Sequence, residues 1–393
     1  MTPVQNVREN TRPSRNPAIH LMYFDAGGGH RAAANALSAV VKEQGRPWDM
    51  RLVNLQELLD DLDIFRKITR IRLQDLYNLM LAKGWTLGSA QMLAAVHGVI
   101  RLYHRPAVRL LARYWASTRP DLVVSLVPNF NRVMFDALKA ACPGTPYVTI
   151  LTDFADYPPH FWIERQQQYL VCGTERAGEQ ARALGHAADR IRRATGMILR
   201  PKFYELVSID RAAEQRRLGL DPAIPVALVM FGGQGSRVML EIAERLGSSG
   251  LKLQMILICG RNERLANRLR ALKLGVPAFV EGFTTEIPYY MRLADFFIGK
   301  PGPGSISEAI AMHLPVIVER NAWTLPQERY NAEWVEEKQV GFVVPNFRQV
   351  AGAVGKLLEP ATLARCRANA SAIQNRALFE IPTILERLLT MAP

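Results

Sequence analysis

The sequence predicts an α/β protein built from two parallel-sheet domains that face one cleft. Three observations carry this. Apolar strand-like runs alternate with helix-like runs along most of the chain, as in parallel sheets. Each half holds a glycine-rich turn that follows a strand-like run and opens a helix-like one: Asp25-Ala26-Gly27-Gly28-Gly29-His30, and Gly299-Lys300-Pro301-Gly302-Pro303-Gly304-Ser305-Ile306-Ser307-Glu308. At 393 residues the chain is long for a single core, so two domains are expected.

Taken in order, residues 1–17 are polar and carry Arg8, Arg12 and Arg15 without an apolar core of signal-peptide length; they read as a disordered lead-in. A first strand is expected at 18–25. A helix follows at 30–44, where Ala32, Ala33, Ala34 and Ala36 permit close packing on a sheet, and a second strand at 50–54. Residues 55–118 read as helical throughout, too long for an ordinary crossover and so as an insertion. Strands resume at 121–127, 146–151 and 168–172. Gly and Pro punctuate 196–203, which reads as the hinge. The second half restarts the pattern, with strands at 226–231, 253–258, 278–280, 296–299 and 315–319 and a helical tail over 360–391. The division expected is 18–200 for the N-terminal domain, 201–375 for the C-terminal domain, and a final helix over 376–393 that crosses back to the first domain.

Lysine and arginine outnumber the acids 49 to 36, a net charge of +13 that suits an anionic partner: nucleotide, nucleic acid or acidic lipid surface. The cysteines Cys142, Cys172, Cys259 and Cys366 form no CxxC pair and lie near no histidine at ligand spacing. They read as buried, reduced thiols of a cytosolic protein, with no zinc site. No apolar stretch reaches the ~18 residues of a bilayer span, so membrane contact would be peripheral. The insertion is strongly biased. From Arg66 through Lys67, Arg70, Arg72, Lys83, Arg101, Arg105, Arg109 and Arg113 to Arg119 its only acid is Asp75, and Trp85, Tyr103, Tyr114 and Trp115 interleave. That mixture suits an anionic bilayer surface; an amphipathic helix pair with a solvated basic face is the competing account. No RNA-reading motif appears, and no nucleic-acid partner is expected.

At the second turn, Gly302 and Gly304 remove side chains where backbone amides and the helix dipole favour a diphosphate, and Ser305 adds a hydroxyl. Glu308, one turn on, is placed to accept from two ribose hydroxyls or, equally, to close a capping box with Ser305. The loop Gly232-Gly233-Gln234-Gly235 either lines the same phosphate site or is a tight turn; it lacks the dinucleotide spacing, and no Walker motif occurs. Asp61-Leu62-Asp63 spells the DxD of metal-dependent sugar transferases but lies in a leucine-rich helical stretch, and reads as chance. His30, beside three glycines, would stand at the cleft-facing end of a sheet. Such an imidazole, with a pKa near neutrality, can deprotonate a hydroxyl; capping its own helix is the plainer role. Asp153 ends another strand and either orients the acceptor or His30, or shapes a turn. Asp25 is a further candidate to support His30.

Together these segments resemble glycosyltransferase family 28, in particular its monogalactosyldiacylglycerol synthases and diacylglycerol glucosyltransferases. The resemblance rests on the 299–310 turn, Leu314-Pro315-Val316-Ile317, Pro326-Gln327-Glu328-Arg329-Tyr330-Asn331, the Gly27–Ala32 turn, Leu151-Thr152-Asp153, Ile258-Cys259-Gly260-Arg261-Asn262, Glu281-Gly282-Phe283 and the hinge residues Gly196, Arg200, Pro201 and Phe203. It runs in order over residues 18–345. The chain departs from the pattern at Ile198, Pro326 and Tyr330, and the 154–162 segment is one residue longer, which leaves His160 without a clear counterpart.

The resemblance implies a GT-B fold, two Rossmann-like domains with the nucleotide sugar held mainly by the second. It implies that Glu308 holds the ribose, that Gly302, Gly304 and Ser305 face the phosphates, that Phe283 lies beside uracil, and that Gln327 and Glu328 bind the sugar hydroxyls. His30 would be the base or an orienting group, with Gly28 and Gly29 near the acceptor. The function implied is an inverting, metal-independent transfer of a hexose from a UDP-sugar to a lipid hydroxyl, most simply diacylglycerol. It would act peripherally at the cytoplasmic face of a membrane, with Arg66, Arg70, Trp85, Arg101 and Arg105 on the bilayer. Three other functions fit the same plan: an N-acetylglucosaminyltransferase acting on a polyprenyl-linked acceptor, a UDP-N-acetylglucosamine 2-epimerase, and a non-enzymatic sensor of nucleotide or anionic lipid.

Overall fold

A computed structural model of the chain describes residues 15–25, 29–60, 98 and 100–391. Two six-stranded sheets organise it, and all strand pairings in both are parallel. The first comprises β1 (Ala18–Tyr23), β2 (Asp49–Asn54), β3 (Leu122–Ser125), β4 (Tyr147–Ile150), β5 (Tyr169–Cys172) and β6 (Ile191–Arg193), in the order β2-β1-β3-β4-β5-β6. The second comprises β7 (Val226–Met230), β8 (Gln254–Ile258), β9 (Ala278–Glu281), β10 (Phe296–Gly299), β11 (Val316–Glu319) and β12 (Gly341–Val344), in the order β12-β11-β10-β7-β8-β9.

Strand order reverses between β1 and β3 in the first sheet and between β7 and β10 in the second. In open parallel sheets the ligand crevice lies at such a switch point, beyond the carboxyl ends of the strands. The His30 turn follows β1, the 232–235 glycines follow β7, and the 299–304 turn follows β10. The three turns read as ligand-facing therefore fall at the two switch points.

Strands buried on both faces need apolar side chains on both. On one face of the first sheet, Ile19, Leu21, Val124 and Val148 pack with Ala33, Ala34 and Leu37 of the Gly29–Glu43 helix; on the other, Met22 and Val123 pack with Leu111, Trp115 and Met134. The last helix, Ala377–Thr390, buries Leu378, Ile381, Leu385 and Leu388 in the first-domain core, so the chain ends on the domain where it began.

Two strands escaped the sequence reading. β6 is three residues long with two arginines, too short for a period-two signal. β12 opens on Gly341, whose absent side chain reads as a turn. A Cβ there would stand 1.8 Å from the Val316 carbonyl oxygen, so glycine is what allows the pairing. The tail is two helices, Pro360–Ala372 and Ala377–Thr390, rather than one. The break holds Asn375, which donates to the Met197 carbonyl at 2.9 Å and fills the space a side chain at Gly196 (φ +128°) would need. The chain thus crosses between domains twice at one point, and the crossings are bonded to each other. Within 55–118 the described ends hold the helices Leu55–Leu59 and His104–Thr118. Residues 61–97, with Asp61, Asp63, Arg66, Arg70 and Trp85, lie outside the described residues, as do Gly27, Gly28 and the lead-in up to residue 14.

Candidate active site

His30 is the second residue of the Gly29–Glu43 helix. Its Nδ1 lies 3.2 Å from Thr152 Oγ1, at the end of β4, and its ring centroid lies 5.9 Å from that of Trp162. The Trp162 side chain is fully buried, and its indole N–H donates to Asp153 Oδ2 at 2.8 Å. Asp156 sets that loop: its carboxylate accepts from the backbone N–H groups of His160, Trp162 and Ile163. Thr152 and Trp162 were not among the expected site residues. Thr152 lies inside a quoted segment, and an interior tryptophan reads as core.

Burial controls the proton chemistry. It lowers the His30 pKa to about 4, against a smaller opposing effect of the Leu126 backbone. The sequence reading of a near-neutral imidazole is corrected: burial keeps the ring neutral at physiological pH, and a neutral imidazole has one nitrogen able to accept a proton. Asp153 is pushed up to about 7 by burial, against the Trp162 hydrogen bond; Glu328 and Asp156 raise it further and Lys300 lowers it. Lys300 and Glu328 belong to the other domain, so Asp153 senses charges across the cleft. Phe154 and Trp334, with ring centroids 4.7 Å apart, join the domains beside it.

On the C-terminal side, the helix after β10 runs Pro303–Ala311, with Gly302 as its N-cap and proline at its first position. This removes one of the two accounts of Glu308. Ser305 lies inside the helix and is not its cap, so the capping box is absent. The Glu308 carboxylate instead sits 3.9 Å from an Arg200 amine nitrogen. Burial pushes Glu308 up to about 7, and Arg200 opposes it. Gly304 is open, with no atom within 4 Å of where its Cβ would be.

Gly302 has a different reason. Its missing Cβ would stand 3.3 Å from Lys300 Cε and 3.6 Å from Glu328 Oε1, which form an ion pair of 2.8 Å. The expected amide face at Gly302 is therefore fronted by a charged pair. Gln327 and Glu328 lie in the short turn Pro326–Glu328; Glu328 is buried and Gln327 half-buried. The fully buried Asn331 donates to the Pro301 carbonyl at 2.9 Å and ties this turn to the glycine turn.

The third glycine loop interlocks with its neighbour. Gly232, Gly235 and Gly260 all have positive φ (72°, 60° and 58°), and a Cβ on Gly260 would stand 2.4 Å from the Gly233 carbonyl oxygen. Arg261 N–H donates to that oxygen at 2.9 Å, and its guanidinium stands 4.8 Å over the ring of Phe283, which is 55% exposed. The loops after β7, β8 and β9 so form one rim beside the β7/β10 switch point.

Three expectations change. Asp25 pairs with Arg31 at 2.7 Å, so it is engaged next to His30 rather than with it. His160, at φ +67°, has Nδ1 3.3 Å from the Ile163 carbonyl oxygen and belongs to the loop's own bonding. The His104–Thr118 helix buries Ala107, Leu111 and Trp115, so its apolar face is spent inside the domain; Arg101, Leu102 and Arg105 just before and within its first turn are exposed. Of the acceptor-side residues, Gly29 is described and open, with nothing within 4 Å of its missing Cβ. Among the described residues no three His, Cys, Asp or Glu side chains are grouped to hold a metal ion, and no helix is long and apolar enough to cross a membrane.

Residues 226–387 match the glycosyltransferase family 28 C-terminal domain. The chain is a glycosyltransferase that is similar to this family over its C-terminal domain. It is 28% identical over 390 residues to a probable monogalactosyldiacylglycerol synthase 2 of Oryza sativa subsp. japonica, covering 94% of this chain and 80% of that one. It is 27% identical over 370 residues to a monogalactosyldiacylglycerol synthase of Spinacia oleracea, covering 90% and 68%. The fold matches a glycosyltransferase from Rickettsia africae (TM-score 0.58, 13% identity, 96% of this chain and all of that one). It also matches Anabaena HepE in complex with UDP (TM-score 0.53, 15% identity, 95% and 99%). The architecture of this glycosyltransferase is accordingly GT-B: two parallel-sheet domains with their switch points facing.

Proposed function

We propose that this glycosyltransferase moves a hexose from a UDP-sugar to a lipid hydroxyl, with diacylglycerol as the acceptor, at the cytoplasmic surface of a membrane. The observation that carries the reading is the meeting of His30, Trp162 and Asp153 from one domain with Lys300 and Glu328 from the other. The names of the relatives support the sugar and lipid classes.

In the proposed step the neutral His30 imidazole takes the proton of the acceptor hydroxyl as its oxygen attacks the anomeric carbon. The bond from that carbon to the diphosphate oxygen breaks, and UDP leaves with the negative charge. The N-terminus of the Pro303–Ala311 helix, open at Gly304 and Ser305, together with Lys300, offsets that charge without calling on a metal. A single in-line displacement inverts the anomeric centre. Glu328 and Gln327 hold the sugar hydroxyls, Glu308 the ribose, and the rim of Gly232, Gly233 and Phe283 the rest of the nucleotide. Exposed Arg101, Leu102 and Arg105 are the described groups suited to an anionic bilayer.

The test is incubation of purified protein with labelled UDP-galactose or UDP-glucose and vesicles of diacylglycerol and an anionic phospholipid, read by mass spectrometry of the lipids. A β-linked hexosyl-diacylglycerol is expected. Label passing only to a polyprenyl-linked acceptor, or a UDP-sugar converted without any acceptor, would replace this reading with the polyprenyl or epimerase one.

A further inference from the structure

We propose that Arg200, a residue of the domain crossing, is a positioning residue of the donor site that holds the Glu308 carboxylate ready for the ribose. The proposal rests on the donor-site reading above and adds to it a group contributed from outside the nucleotide-binding sheet.

Arg200 directly precedes the Pro201–Phe203 turn, where the chain leaves the first domain. Its side chain nevertheless reaches into the second. One guanidinium nitrogen donates to the Thr285 carbonyl at 3.2 Å, two residues beyond Phe283. The other lies 3.9 Å from Glu308 Oε1, and the guanidinium carbon stands 5.4 Å from the Phe203 ring centroid. The three contacts hold the planar group between the hinge turn, the Phe283 loop and the helix that carries Glu308. Backbone and ring fix its place, and a guanidinium stays charged at any working pH.

Glu308 depends on that charge. Its side chain is 19% exposed, and Arg200 is the cation paired with it among the described residues. The neighbouring charges are otherwise engaged: Lys202 with Glu286 at 2.6 Å, and Lys300 with Glu328 at 2.8 Å. A buried carboxylate without a counter-charge takes up a proton, and the acid cannot accept from two hydroxyls with both oxygens. At 3.9 Å the ion pair is too long for a hydrogen bond, so both Glu308 oxygens keep acceptor capacity for the 2′- and 3′-hydroxyls.

The sign follows from the opposition already described. Burial raises the Glu308 pKa to about 7 and Arg200 holds it from going further. UDP affinity should therefore rise with pH through about 7 in the wild-type protein. In Arg200→Gln the rise should move up by about one pH unit or more, leaving UDP binding weaker by about tenfold below neutrality. Arg200→Lys should recover part of the shift.

The experiment is calorimetric titration of the full chain with UDP and with 2′-deoxy-UDP across this pH range. It uses wild type, Arg200→Gln, Arg200→Lys and Glu308→Gln, with thermal melting as the folding control. The expected result is a displaced pH midpoint for UDP in Arg200→Gln, a much smaller loss with 2′-deoxy-UDP, and a flat profile in Glu308→Gln. A merely structural arginine would weaken both nucleotides alike and leave the midpoint in place; that outcome overturns the proposal. Wild-type protein that takes up no UDP would overturn the donor-site reading itself, and the inference with it. UDP binding that needs Glu308 but ignores Arg200 would overturn the inference alone. Should Arg200→Gln fail to fold, Arg200→Met removes the same charge, and an unmoved midpoint there decides against it.

Discussion

The turns after β1 and after β10 each lie at the switch point of their own sheet and each opens a helix, yet they present opposite chemistry. The first delivers a neutral imidazole into a pocket made by an indole, a hydroxyl and a protonatable carboxyl. The second presents a bare helix N-terminus, fronted by a lysine–glutamate pair and followed by a glutamate that leans on an arginine. On the proposed function, one side moves a proton and the other holds an anion. A switch point therefore places a site, while the side chains around it decide its task.

The comparison is broken or sharpened by three substitutions. The largest effect is expected from His30→Ala. Turnover should fall by about 100-fold or more, as for loss of a general base, while UDP affinity stays within about twofold. A loss of UDP binding instead would mean that the two turns are not functionally divided. Next is Glu308→Ala, which should weaken UDP by about tenfold or more, since hydrogen bonds to a charged group are lost. Its effect on kcat at saturating donor should be small, and calorimetry beside steady-state kinetics separates the two.

The smallest effect, and the most diagnostic of environment, concerns Asp153. Its folded pKa of about 7 lies above an ordinary carboxyl's 3.8, so over that window the folded chain binds more protons than the unfolded one, and stability falls as pH rises. His30 works the other way: with a folded pKa of about 4 against 6.5, it adds stability as pH rises over its own window. Asp153→Asn should remove its share of the decline and leave that of Glu308, which burial also raises to about 7. Melting temperatures taken at mildly acid and mildly alkaline pH should then show a smaller alkaline decline, a change of a few degrees at about 2–4 °C per kcal/mol. An unchanged decline would place its source elsewhere.

Much of this arrangement was legible in the sequence. Glycine runs after apolar strands locate helix starts whatever else the chain does, so the three turns could be placed without coordinates. Strands of four to six apolar residues announce themselves, and a three-residue edge strand with two arginines does not. Trp162 carried no signal of its own, and Thr152, Arg200 and Asn331 stood in the segments behind the family resemblance without a role of their own. Their partners are fixed by folding: Thr152 meets His30, Asn331 meets Pro301 and Arg200 meets Glu308, all far along the chain, while Trp162 reaches Asp153 across its own loop.

By itself the sequence determined the parallel α/β class, the division into two halves and the positions of the glycine turns. These follow from local rules: side-chain period, backbone freedom at glycine, and the open amides of a helix start. Only the tertiary structure decided that Glu308 answers to Arg200 and not to Ser305, that Gly302 makes room for an ion pair, that the final helix belongs to the first domain's core, and that His30 is neutral. Those outcomes depend on burial and on charges brought together from far along the chain, and neither quantity exists until the chain has folded.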